Sequence, residues 1–293
     1  MLLYLQSRKK NSEKRKVDLR FREFLKSLNI KPDSHNAKCI IEYLCDQKNI
    51  DRSFIFNEEI ELNKKETEKI ILILSKLKDG KPFSYITGKR FFFNDDFIVD
   101  ENVMIPRYET EQLVERLVEE ADNKKILELG TGSGCIAVSC LKYSNPELYI
   151  STDISSKALD IAQENSKKIL SKEKRKRLFL INCDRFESIK GFFDIIVSNP
   201  PYIDIDQYNN LYKSVKDHEP KISLTDDFDG LSYYRYILKK SSELLDEKGK
   251  IILEHGYDQK ENIINLFSEQ FRKIEAIKDY SGHDRIIIAS ESI

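Results

Sequence analysis

The chain has 293 residues, 40% hydrophobic and 34% charged. No apolar run reaches the ~18 residues of a membrane span, and the opening MLLYLQ is too short for a signal-peptide core, so a cytoplasmic protein of two domains is expected. The 49 basic and 50 acidic residues leave a net charge of -1, which excludes the overall positive field of a strong nucleic-acid binder.

Neither DNA nor a membrane is an expected partner on this basis; separately, a monomer is expected. The five cysteines, Cys39, Cys45, Cys135, Cys140 and Cys183, are scattered and form no paired CxxC spacing. They read as reduced, small hydrophobic residues, with no metal implied. The basic runs at 8–10, 14–16 and 172–177 read as solvated faces.

In chain order, helical spacing comes first. Apolar residues recur at Val17, Phe21, Phe24 and Leu28, then at Ala37, Ile40, Ile41 and Leu44, then at Ile70, Ile73, Leu74 and Leu77, the period of amphipathic helices. Pro32-Asp33-Ser34 supplies a turn and a helix start. Residues 1–81 therefore read as a small helical domain.

From 82 to 106 the pattern becomes alternating and aromatic, with FFF at 91–93, Asn94-Asp95 as a turn, and Phe97, Val99, Val103 and Ile105. This predicts a β-hairpin connector. After Pro106, Glu109 and Glu111 suit the first turn of a helix through its dipole.

Over 107–293, β-rich runs alternate with helical segments. The runs are 125–129, 148–154, 177–183, 194–198, 250–255 and 284–290, and helices are predicted to start near Ser133, Ser155, Gly230 and Tyr257. Such alternation predicts an α/β domain with a mostly parallel sheet covered on both faces. Ligands bind such sheets beyond the carboxyl ends of the strands.

Four strand ends carry informative residues. Gly130, Thr131, Gly132, Ser133 and Gly134 follow the first strand and lead into a helix, a place where backbone approaches a ligand closely and helix amides favour an anion. The spacing differs from the dinucleotide fingerprint and lacks the lysine of a phosphate loop. Asp153 closes the next strand and can accept hydrogen bonds from two ribose hydroxyls, or cap the helix after it. Asp184 and Arg185 end the third strand, in position to flank a base.

The fourth informative strand end carries Asn199-Pro200-Pro201-Tyr202, after the buried run 194–198. At ~5% usage per residue, a given tetrapeptide arises by chance in roughly one chain in 500 of this length. An amide or aromatic amino nitrogen is a poor nucleophile and must be aimed. The Asn199 side-chain oxygen and the Pro200 carbonyl can each accept one hydrogen of an NH2 group, and both stabilise positive charge as the nitrogen is alkylated. The prolines restrict the backbone, and Tyr202 offers a flat face to a planar acceptor. The expected activity is methyl transfer from S-adenosylmethionine to such a nitrogen.

With these residues in place, the chain resembles the bacterial release factor glutamine methyltransferases, also called protein-(glutamine-N5) methyltransferases. The resemblance extends to Tyr85-Ile86-Thr87-Gly88, to Ile105-Pro106-Arg107-Tyr108-Glu109-Thr110-Glu111, and to His218-Glu219-Pro220. It continues with Asp229-Gly230-Leu231, Tyr234-Arg235, Glu254-His255-Gly256 and Gln259. It implies a seven-stranded Rossmann-like class I methyltransferase domain behind a helical, substrate-recognising N-terminal domain.

The implied substrate is the glutamine of the Gly-Gly-Gln loop of peptide chain release factors. The implied cofactor contacts are Gly130 to Gly134, Asp153, Arg185 and Asn199, and the implied substrate contacts are Asn199 to Tyr202. Arg185 departs from the aromatic residue often found at its position. The charged start, 1–16, is also atypical and is expected to be flexible or a variant first helix. The alternatives are a ribosomal-protein glutamine methyltransferase, a DNA or RNA amino-group methyltransferase, and a cofactor-binding protein without catalysis.

Overall fold

The computed structural model describes residues 19–31, 34–49 and 61–293. It divides into two compact units, Met1–Thr87 and Gly88–Ile293. Val17, Pro32-Asp33, the basic runs at 8–10 and 14–16 and the atypical start at 1–16 lie outside the described residues.

The first unit contains helices α1 (Phe21–Ser27), α2 (His35–Lys48), α3 (Lys64–Lys78) and the short α4 (Phe83–Thr87). Ser34 caps α2 by accepting from the Ala37 amide, and Asn63 and Glu66 form a reciprocal capping box on α3, which satisfies amides that a helix start leaves unpaired. The spacing read from the sequence is the spacing of the core: Phe24, Ala37, Ile40, Ile41, Leu44 and Ile70 pack together with Leu62. A feature the periodicity does not announce is an antiparallel pair of two-residue strands, β1 (Leu19–Arg20) and β2 (Glu61–Leu62).

The second unit opens with a hairpin of β3 (Lys89–Phe92) and β4 (Asp95–Ile98). Its turn lies at Phe93-Asn94, one residue earlier than Asn94-Asp95, and both residues have positive φ, 46° and 69°, as a tight primed hairpin turn requires. Helix α5 (Glu109–Glu120) follows.

A seven-stranded sheet then forms from β5 (Lys125–Leu129), β6 (Leu148–Asp153), β7 (Leu178–Asn182), β8 (Phe193–Ser198), β9 (Leu245–Glu254), β10 (Phe271–Lys278) and β11 (Asp284–Ser292). The order is β10-β11-β9-β8-β5-β6-β7, parallel except where β11 meets β9 and β10. The α/β, Rossmann-like architecture is thus the expected one. The strand missing from the pattern reading is β10, which alternates exposed and half-buried residues at one edge.

Both faces of the sheet are covered, by helices α6 (Cys135–Tyr143), α7 (Ser156–Ile169), α8 (Ser232–Leu244) and α9 (Lys260–Phe267) together with α5. Neighbouring strand residues serve opposite cores, as a pleated strand dictates. Ile126 packs with α5 and α6 residues such as Leu113 and Ile136; Leu127 packs with Tyr234 and Ile237 of α8. The chain leaves β5 toward β6 and β7, then returns to its other side as β8. The reversal of strand order opens a crevice at the carboxyl ends of β5 and β8, where ligands bind in such sheets.

Candidate active site

One cleft lies at that crevice, open to solvent at its mouth. Gly130, Thr131, Gly132, Ser133, Asp153, Asp184, Arg185, Asn199 and Pro201 line it. The four strand ends singled out in the sequence therefore meet at one place. Gly134, Pro200 and Tyr202 stand outside the lining. A Cβ at Gly134 would come within 3.0 Å of Ala162 Cβ, so this glycine serves the close packing of α6 on α7.

The glycine loop is built from behind by a buried carboxylate. Glu128, inside β5, accepts from Ser151 Oγ at 2.7 Å, and Ser151 in turn bonds Thr131 Oγ1 at 2.7 Å. Burial pushes the Glu128 carboxyl up to about 8, so it holds its proton at neutral pH. On the cleft side, Asp153 accepts the Gly132 amide at 2.9 Å with one oxygen and the Ser155 amide at 2.9 Å with the other.

Ser155, not Asp153, caps α7 by accepting from Ala158. Each Asp153 oxygen has acceptor capacity beyond its one backbone bond, which fits a ribose diol. Space in front of Gly130 and Gly132 is open to at least 4 Å, and the loop runs straight into the N-terminus of α6. This donor and acceptor set fits a ligand that joins a nucleoside to an amino acid. Arg185 pairs with Asp184 at 3.0 Å and lies over the Tyr236 ring at 4.4 Å. At this position it thus offers a guanidinium held flat by its neighbours in place of an aromatic ring.

The Asn199 corner is fixed from three directions. Gln259 donates to the Tyr202 carbonyl at 2.8 Å and to the Gly230 carbonyl at 3.3 Å, while its own oxygen accepts the Gly256 amide at 3.0 Å. Gly230 passes so close that a Cβ there would stand 2.3 Å from the Tyr202 oxygen. Below the corner sits Glu254, the last residue of β9 and almost fully buried.

Thr110 Oγ1 donates to Glu254 Oε2 at 2.7 Å, the Tyr202 hydroxyl approaches Oε1 at 3.4 Å, and Asn199 Nδ2 donates to Thr110 Oγ1 at 3.0 Å. With its NH2 group engaged by Thr110, the Asn199 amide offers Oδ1 as its acceptor. Burial raises the Glu254 carboxyl to about 7, against the pull of Thr110 and Arg285.

The segment around Pro106 joins the site physically. Asn102, Val103, Met104, Pro106 and Thr110 line the cleft. Arg107 Nη2 bonds Glu219 at 2.6 Å, the Ile105 amide donates to the same carboxylate at 3.2 Å, and Glu111 accepts the Phe93 amide at 3.1 Å. His218 is not among the residues that line the cleft, and its amide bonds the Val215 carbonyl.

Sequence reasoning missed the roles of Thr110, Glu128, Ser151 and Glu254. The signal for the two carboxylates was a charged residue inside an apolar parallel strand, where buried charge needs partners. Among the described residues, all five cysteines are free, no group of ligating side chains could hold a metal ion, and no helix is long and apolar enough to cross a membrane.

A family model described as methyltransferase small domain matches residues 108–215. A release factor glutamine methyltransferase of Streptococcus pneumoniae is 36% identical over 243 residues, covering 81% of this chain and 85% of that protein. One from Fusobacterium nucleatum is 35% identical over 264 residues, covering 83% of this chain and 73% of the relative. A bifunctional methyltransferase of Rickettsia felis is 33% identical over 298 residues, covering 91% of this chain, which spans only 56% of that longer protein.

Proposed function

The chain belongs to the family of release factor glutamine methyltransferases, and from that membership we propose that it methylates N5 of the glutamine in the Gly-Gly-Gln motif of peptide chain release factors, using S-adenosylmethionine. The observation that carries this reading is the placement of Asn199 and Pro201 in the same cleft as the glycine loop and Asp153.

S-adenosylmethionine supplies an electrophilic methyl group on a sulfonium. The residues suited to hold it are Gly130 to Ser133, with Asp153 on the ribose and Asp184 and Arg185 beside the base. The chain's own task is to aim a weak nucleophile. Asn199 Oδ1 and the Pro200 carbonyl accept the two hydrogens of the glutamine NH2, which turns the nitrogen toward the cleft. As that nitrogen gains a bond, the positive charge growing on it is stabilised by the same two oxygens, and no strong base is needed. The clamp of Gln259 and Gly230 keeps the corner from relaxing. The helical N-terminal unit is assigned to partner recognition.

Incubation with labelled S-adenosylmethionine and either purified release factor or nucleic acid, followed by mapping of the label, tests the reading. Label on the release factor glutamine is expected; label on DNA or RNA alone overturns it. Asn199→Ala should lower turnover at least ~10²-fold with little change in thermal stability. Near-normal turnover in that variant would remove the aiming mechanism.

A further inference from the structure

We propose that Glu254, acting through the Thr110 hydroxyl, sets which way the Asn199 side-chain amide faces, so that the carboxylate form of Glu254 is the form competent for amide methylation. The inference rests on the functional reading above and adds two positioning residues to it. Neither Thr110 nor Glu254 needs to touch the substrate.

The argument is one of hydrogen-bond polarity. A carboxylate can only accept. When Glu254 is ionised, Thr110 must spend its single proton on Glu254 Oε2, 2.7 Å away. Its oxygen is then an acceptor toward Asn199, which must present Nδ2, the arrangement found at 3.0 Å. Oδ1 is left for the substrate NH2.

Protonation reverses every link. Tyr202, whose phenol burial keeps protonated, already occupies Oε1. The incoming proton therefore goes to Oε2 and is donated to Thr110. The threonine hydroxyl then turns its own proton to Asn199, which satisfies it best with Oδ1. The flipped amide offers NH2 to a substrate NH2, donor against donor, and the aiming contact is lost.

The groups facing this carboxyl come from every element around it. Thr110 and Glu109 approach from α5, Tyr202 from the corner after β8, Arg285 from β11, Tyr234 from α8 and Cys135 from α6. Arg285 favours the charged form and Glu109 opposes it. Arg285 is itself tied to Asp279 at 3.4 Å and to the His255 carbonyl at 3.0 Å. Burial outweighs these and puts the carboxyl near 7, so the switch falls within the range where enzymes are assayed. Burial lowers the pKa of the neighbouring His255.

The test uses the full chain, purified release factor and labelled S-adenosylmethionine, with kcat measured from about pH 5.5 to about 9. Affinity for S-adenosylhomocysteine, read by calorimetry, reports an intact fold. In the wild type, kcat should fall as pH drops through about 7. Thr110→Ser keeps a hydroxyl and should keep both the acid limb and kcat within about threefold. Thr110→Val should lose roughly 10²-fold in kcat, and Glu254→Gln, whose amide does not titrate, should lose the acid limb, both with cofactor affinity retained.

A wild type that transfers no label to the release factor rejects the functional reading. A wild type that transfers label but has no acid limb between about pH 6 and about 8 overturns this proposal whatever the variants do. An unchanged limb in either Thr110→Val or Glu254→Gln also overturns it.

Discussion

Two of the strand ends that form the site, those of β5 and β8, are built in opposite ways. The β5 end is a cradle: a loop of glycines with open space before it, held from behind by Glu128 through Ser151 and Thr131. The β8 end is a clamp, in which the backbone of Tyr202 is pressed against Gly230, gripped by Gln259, and tied through Asn199 and Thr110 to Glu254. Each has a buried carboxyl beneath it. Glu128 is fully buried, with the Ser151 hydroxyl on one oxygen and only the Tyr149 phenol near it besides, so it keeps its proton. Glu254 has a donor on each oxygen and Arg285 nearby, so it can lose its proton near neutrality. A cofactor needs room and a fixed backbone, while a weak nucleophile needs acceptors that cannot turn away.

The sharpest way to break this contrast is Gly230→Ala. With φ at +74° and a methyl forced to 2.3 Å from the Tyr202 oxygen, strain and overpacking together should cost about 3 kcal/mol. For a unit of this size that lowers the thermal midpoint by roughly 6 to 12 °C. Turnover should fall with it, because the clamp has no slack. Thermal unfolding that matched the wild type would mean the β8 end is as loose as the β5 end.

The next test separates the two carboxyls by pH. Glu128 binds a proton in the fold up to about pH 8, against an ordinary value of 4.5. The folded state therefore holds more protons than the unfolded chain across that window. The associated stability is complete below about pH 4.5 and is lost as pH rises through about 8. Glu128→Gln, which is neutral at every pH, should remove that loss. Its stability relative to wild type should grow by a few kcal/mol between about pH 5 and about 8.5 in denaturant titrations. A difference independent of pH would mean Glu128 is ionised in the fold. Glu254→Gln should remove the smaller part of the same slope, since its window ends near 7.

The legible parts of this molecule are those that local pattern encodes. The buried parallel strands read as continuous apolar runs, and the helices α2 and α3 read from their spacing, because burial on a sheet or helix face imposes a fixed period. Asn199 to Tyr202 was legible because four rare neighbours sit at a strand end.

Strand β10 was not, since an edge strand with exposed Arg272, Lys273 and Glu275 buries too little to leave a run. Nor was the tie between Thr110 and Glu254, 144 residues apart in the chain. Both residues stood in motifs carried by the family resemblance, yet their pairing depends on how α5 is laid beside the end of β9. The placement of Gly134 was missed for a related reason. In sequence it is the third member of a ligand loop, and only the approach of Ala162 to 3.0 Å gives it to helix packing.

The smallest effect on stability distinguishes the cradle from the clamp most directly. Gly132 has φ of +53° and nothing within 4 Å of a Cβ built on it. Gly132→Ala therefore pays only for left-handed backbone, about 1 kcal/mol, or roughly 2 to 4 °C in the thermal midpoint. In the proposed function, the added methyl would instead occupy space assigned to the cofactor. Affinity for S-adenosylhomocysteine should fall at least tenfold, about 1.4 kcal/mol, so binding loses more than folding does. Gly230→Ala should show the reverse ranking, because its methyl meets the protein's own backbone. If Gly132→Ala binds the nucleoside as the wild type does, the open space before the loop is not where the cofactor lies.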